Sequence, residues 1–314
     1  MRQKHLLLLA LLPLSLFAQK KEEGFDIHFK PTKDIPRYYV VTEQKNGKWH
    51  REAWYIPEKS FAMEGWFLDE NCRVGDSSVT WFFPNKKLKS SGSYKKGRKE
   101  GIWLEYHNNG MMSDSGYYEN GHQLGVGLGW SKEGYMVDST VFDGLGNGVL
   151  VHWYENGPVY FVGYKVNDTT SARKWTYYHK NGQKMAIVEY NNGIRTSVNC
   201  FSETGQPLEN CEEKESFFGG DEFAWRKFLE KNLDAGVPVR NRAPVGKYTV
   251  VVQFIVDRQG HLSDITPLTN FGFGMEGEVI RLLKKSPPWS PAIQFGKIVD
   301  SYKKQPVTFV VASR

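Results

Sequence analysis

Val149-Leu150-Val151-His152-Trp153-Tyr154-Glu155-Asn156-Gly157-Pro158-Val159-Tyr160-Phe161-Val162 reads as strand, turn and returning strand. The flanking runs are β-branched and aromatic, the composition that suits a pleated, half-buried surface. Asn-Gly between two such runs predicts a tight type I′ turn, whose central residues both need positive φ. A lone hairpin is marginal in water, so the segment implies neighbours that share its apolar face.

Those neighbours are visible as a repeat. Working outward, an aromatic residue followed by a turn recurs at Tyr55, Phe82, Tyr106, Trp130, Trp153, Tyr178 and Phe201, with spacings of 27, 24, 24, 23, 25 and 23. The turns begin three residues later, at Glu58-Lys59, Asn85-Lys86, Asn109-Gly110, Glu133-Gly134, Asn156-Gly157, Asn181-Gly182 and Thr204-Gly205. Ten residues beyond the aromatic, Gly65, Gly92, Gly116 and Gly163 recur. Asn46-Gly47, between Tyr38-Tyr39-Val40-Val41 and Trp49, opens the series. The fold class expected is a mainly β array of stacked β-hairpins, with the periodic aromatics in the shared buried face and stability spread along the stack.

After Cys211 the pattern stops. Residues 212–217 read as a short polar linker, and 218–314 as a small α+β domain. Asp221 is placed to cap a helix with Phe223, Ala224, Phe228 and Leu229 on its apolar face. Tyr248 to Val256 is a β-branched strand ended by the turn Asp257-Arg258-Gln259-Gly260, and His261 to Pro267 returns. Met275 to Leu283 is a second helix stopped by Pro287-Pro288, and Pro306 to Val311 is a last strand.

At the other end, Arg2 and Lys4 precede an apolar run of thirteen residues, Leu6 to Ala18. A membrane-spanning helix needs ~20 apolar residues, so residues 1–18 read as a secretory signal peptide cleaved before Gln19. Export sets the context for Cys72, Cys200 and Cys211. In an oxidising compartment Cys200 and Cys211 are able to close a small loop, which spacing alone does not decide, and Cys72 is left over. The net charge of +6 is modest, and no recognition motif or basic helix accompanies it, which argues against nucleic acid. The sequence sets no oligomeric state.

Two resemblances add to this reading. The aromatic, turn and glycine-aromatic pattern, with second glycines at Gly97, Gly101, Gly121 and Gly125, resembles the MORN repeats of bacterial antitoxin-like proteins. The last hundred residues resemble the C-terminal domain of TonB. The carriers are Phe218-Gly219-Gly220, the run from Val250 to Asp257 with Gly260, Trp289-Ser290-Pro291-Ala292 with Gly296-Lys297, and Pro306-Val307-Thr308-Phe309. This resemblance implies a periplasmic module that pairs an exposed strand with an extended receptor peptide or other envelope partner. Pro306, Val307, Thr308, Phe309, Val310 and Val311 are then the partner-binding residues. The proline-rich spacer of energy-transducing TonB proteins is missing, so binding is carried over and transduction is not.

Lys86, Lys87, Lys89, Lys95, Lys96, Arg98 and Lys99 form a dense basic stretch. It suits either an anionic lipid or cell-wall surface, or solvated turns whose lysines discourage edge-to-edge pairing. His107, His152 and His179 flank repeat aromatics and read as strand positions. Gly125 to Gly129 and Gly144 to Gly148 read as turn glycines, and Phe271-Gly272-Phe273-Gly274 as a loop before a helix. No cofactor, metal or catalytic constellation is indicated, and the expectation is a non-catalytic exported binding protein.

Overall fold

The computed structural model describes residues 20–33, 36–56, 58–219 and 223–312. The expected signal peptide and cleavage point, Asp221 and Gly220 lie outside these. Sixteen strands among the described residues form one open sheet in which each pairs only with its neighbours in the chain. They are β1 (Lys20–Phe25), β2 (Tyr38–Lys45), β3 (Lys48–Tyr55), β4 (Ser60–Phe67), β5 (Gly75–Phe82), β6 (Leu88–Lys95), β7 (Arg98–Tyr106) and β8 (Met112–Glu119). There follow β9 (His122–Trp130), β10 (Met136–Asp143), β11 (Gly148–Trp153), β12 (Val159–Val166), β13 (Thr170–Tyr178), β14 (Lys184–Asn191), β15 (Ile194–Phe201) and β16 (Pro207–Leu208). The expected hairpin array is therefore present, and every pairing in it is antiparallel.

Each periodic aromatic is the last residue of an odd-numbered strand, from Tyr55 in β3 to Phe201 in β15. At that margin most are only half-buried, with Tyr55 the exception at 6% exposed. The buried face is filled instead by residues further back on the strands, such as Trp103 and Trp175. Burial is greatest mid-strand, where a side chain is covered on all sides.

The two margins of the sheet turn differently. Asn46-Gly47, Lys96-Gly97, Asn120-Gly121 and Asn192-Gly193 have both central residues at positive φ, between 48° and 94°. These are the type I′ hairpins. At Asn109-Gly110 and Asn181-Gly182 only the glycine has positive φ, so the expected type I′ geometry is not formed there. Gly110 N–H donates to His107 O and His107 N–H donates to Met111 O, which closes a three-residue loop ending in a left-handed glycine. The residue before each Asn-Gly joins the turn, and the register shifts by one beside the aromatic to absorb it. At Asn156-Gly157 only the asparagine is left-handed.

Gly125, Gly127 and Gly129, read as turn glycines, lie inside β9. Gly125 (φ 74°) takes the positive φ at a register shift against β8.

The remaining chain forms α1 (Ala224–Asn232), α2 (Val237–Arg240), β17 (Gly246–Val256), β18 (Leu262–Pro267), α3 (Met275–Lys285), β19 (Ala292–Gln294), β20 (Lys297–Val299) and β21 (Ser301–Val311). β17 alternates strictly, burying Tyr248, Val250, Val252, Phe254 and Val256 against Met275, Val279 and Leu283 of α3. Phe223, expected on the apolar face of α1, precedes that helix and is 53% exposed; Trp225, Phe228 and Leu229 pack instead.

β19 and β20, which no sequence pattern announces, make a hairpin whose tip residue Phe295 is 3% exposed. Its ring lies 4.7 Å from Tyr177 within the cluster of Trp175, Met185, Ala186 and Val188, so the hairpin plugs the end of the array. Tyr160 OH donates to Gln294 Oε1 (2.6 Å) beside it. Residues 212–217, expected as a linker, run along this hairpin: Lys214 bridges Ile293 and Phe217 bridges Ser290. Cys200 and Cys211 are disulfide-bonded, tying β15 to the same segment.

Candidate functional site

The last sheet has the order β18-β17-β21, which among the described residues leaves one side of β21 without a strand partner. The strand begins at Ser301, five residues before the expected Pro306. Proline lacks an N–H and reads as a strand start, but an edge strand tolerates it where that N–H would face solvent. The register shows this to be the case. Val251 turns its backbone toward β18 and the two residues just beyond that strand, accepting from Leu268 N–H (2.8 Å) and donating to Thr269 Oγ1 (3.1 Å). Its cross-strand partner Pro306 is therefore a non-hydrogen-bonded pair, with backbone groups turned to the open edge.

By the same alternation Tyr302, Lys304, Thr308 and Val310 direct N–H and C=O outward, while Val307, Phe309 and Val311 face the core at 3–6% exposure. Tyr302 and Val310 are 73% and 71% exposed. Of the six expected partner-binding residues, then, Pro306, Thr308 and Val310 present the edge. Val307, Phe309 and Val311 hold the strand down. Tyr302 and Lys304 were missed with the earlier half of the strand. The site can pair with an extended chain through its backbone and offer two exposed apolar side chains for selection.

The basic stretch is not gathered into one place. Lys86 and Lys87 lie in the turn before β6, and Lys95, Lys96, Arg98 and Lys99 lie at its opposite end. At ~3.3 Å per residue the two groups are roughly 20–25 Å apart. Lys87 donates to Asn109 O (2.5 Å), and Lys95 is 3.9 Å from Glu100. Lys99 lies over the Trp103 and Tyr118 rings at 4.4 and 4.8 Å, and Lys89 is 6.0 Å from the Phe83 ring centre. Lys86, Lys96 and Arg98 are exposed.

The histidines have structural partners. The rings of His107 and His179 bond the backbone carbonyls of Trp130 and Phe201 one repeat on, at 2.8 and 2.9 Å. His152 stacks on Phe161 and meets Asp138. The loop before α3 already holds an anion of its own: the Glu276 carboxylate accepts from Phe271 N–H (2.7 Å) and Gly272 N–H (3.2 Å). Burial raises the pKa of that carboxyl above its ordinary value. Across β3 and β4, His50, Glu52 and Glu64 bring ligand atoms within 4.8 Å of one another, a set able to hold a divalent cation. Their separation in sequence hid them. No helix among the described residues is long and apolar enough to cross a membrane.

Comparison with known proteins finds no family model that matches the chain and no match among curated proteins.

Proposed function

We propose that the chain is an exported, non-catalytic adaptor of the cell envelope, acting in the periplasm or at the outer membrane. In this reading a MORN-like array is the scaffold and a TonB-like C-terminal domain binds partner peptides by strand addition. The observation that carries it is the open side of β21, eleven residues long and held in register along its other side by β17. The oxidised Cys200–Cys211 pair suits an exported protein. The hairpin that docks Phe295 joins the array to the part of the chain that carries the edge.

Binding through the edge depends on its outward N–H groups. Val310→Pro removes one of them and leaves the ladder to β17 intact. Titrating the intact chain against soluble periplasmic segments of outer-membrane receptors should give saturable binding, weakened about tenfold or more by this substitution. A folded chain that binds no segment, or a variant that binds as tightly as the parent, refutes strand addition.

A further inference from the structure

The buried face of the array carries one position per repeat that can be followed by register. Arg51 lies opposite Gly65, Val79 opposite Gly92, Trp103 opposite Gly116, Gly127 opposite Thr140, Leu150 opposite Gly163 and Trp175 opposite Val188. Trp103 and Trp175 fill this row by lying flat over the glycines one strand back: a Cβ on Gly92 or Gly163 would stand 2.2–2.3 Å from an indole atom. The indole N–H then donates to the carbonyl of the residue after that glycine, at 3.0 Å to Ser93 and 3.1 Å to Tyr164. In the first two repeats the row holds arginine and valine instead. Val79 is too small to cover its surroundings as an indole would, and a cavity of about 740 Å³ opens there.

That volume falls in the range of small-molecule sites. Its walls include Phe25, Phe29, Met63, Phe67, Trp81 and Tyr94. Arg51 lines it from the sheet and is only 6% exposed. The Arg51 guanidinium donates through Nε to Thr42 Oγ1 (3.0 Å) and lies 5.1 and 6.0 Å from the Phe25 and Phe67 ring centres. Among the described residues no carboxylate forms an ion pair with it. Glu23 and Asp69 act on it only from beyond ion-pair distance, engaged by Lys21 (3.0 Å) and by the Arg73 and Val74 N–H groups, and Glu70 lines the cavity without pairing with it. A buried cation without an anion is costly, and its two terminal nitrogens form the fork that matches a carboxylate.

We infer that this cavity binds a small amphiphilic carboxylate, its head on Arg51 and its apolar body against the aromatic wall. The charge selects the head, and the missing indole makes the room.

The test is calorimetric titration of the intact chain with decanoate, with decanol as the same body without charge and with inorganic phosphate as charge without a body. Decanoate should bind saturably at one site, with decanol at least tenfold weaker and phosphate showing no saturation. Arg51→Met keeps the bulk and removes the charge; it should lose tenfold or more for decanoate and bring decanoate level with decanol. Val79→Trp places there the indole that Trp103 and Trp175 supply in their repeats and should abolish both, with circular dichroism and melting showing the fold intact. No saturable decanoate binding to the parent, equal binding by Arg51→Met, or undiminished binding by Val79→Trp overturns the inference.

Discussion

A Cβ on Gly92 would sit 2.3 Å from the indole of Trp103, and the flat aromatic packed there by β7 has no room to retreat. Trp103 is 5% exposed and fixed by its hydrogen bond to Ser93. Gly92→Ala should therefore destabilise the chain by about 1–3 kcal/mol, read as a lower midpoint in urea, through overpacking rather than backbone strain. The recurring glycines were legible in the sequence; the indoles that cover them were not. Trp103 is eleven residues beyond Gly92 and on the next strand. Only the register reveals which alternating face each residue occupies. The same blindness hid Arg51, a charge read naturally as solvent-facing until the pairing put it in the core row.

Among the elements, the hairpin of β19 and β20 couples the two parts of the molecule. Phe295 is its anchor, and replacing a buried phenylalanine by alanine costs about 3–5 kcal/mol where the site cannot collapse. Phe295→Ala should release the C-terminal domain from the array without unfolding either. Limited proteolysis would then cut within residues 212–217, which the parent protects by pairing them to the hairpin. The longer elements could be read in advance: α3 runs from Met275 as the apolar spacing indicates, and β17 follows its β-branched run. The hairpin escaped notice because each of its strands has three residues, too short for any period to show. The polar composition of residues 212–217 likewise suggested a free tether, since backbone pairing leaves no mark on side-chain type. For the candidate edge, the second half of β21 was legible, and Pro306 concealed the first half.

Over the whole molecule, the buried residues of the array fall into two separate clusters. One surrounds Met63, Val79 and Trp103, and the other surrounds Trp175, Met185 and Val188. Between them the core row holds Gly127 and Leu150, and β9 contains glycine at three alternate positions. In a stack stabilised by nearest neighbours, that stretch has the least apolar contact to hold it. Hydrogen exchange should accordingly be faster in β9 to β11 than in β3 to β4 or β13 to β14. Uniform protection along the array would mean that backbone pairing, rather than side-chain burial, sets local stability.

Adjacent strands stand ~4.8 Å apart, so each two-strand unit lengthens the array by roughly 10 Å. The Phe295 plug touches only its last units, and the Arg51 cavity only its first. Inserting or deleting a hairpin between them would therefore change how far along the sheet the two sites lie while leaving the local packing of each unchanged.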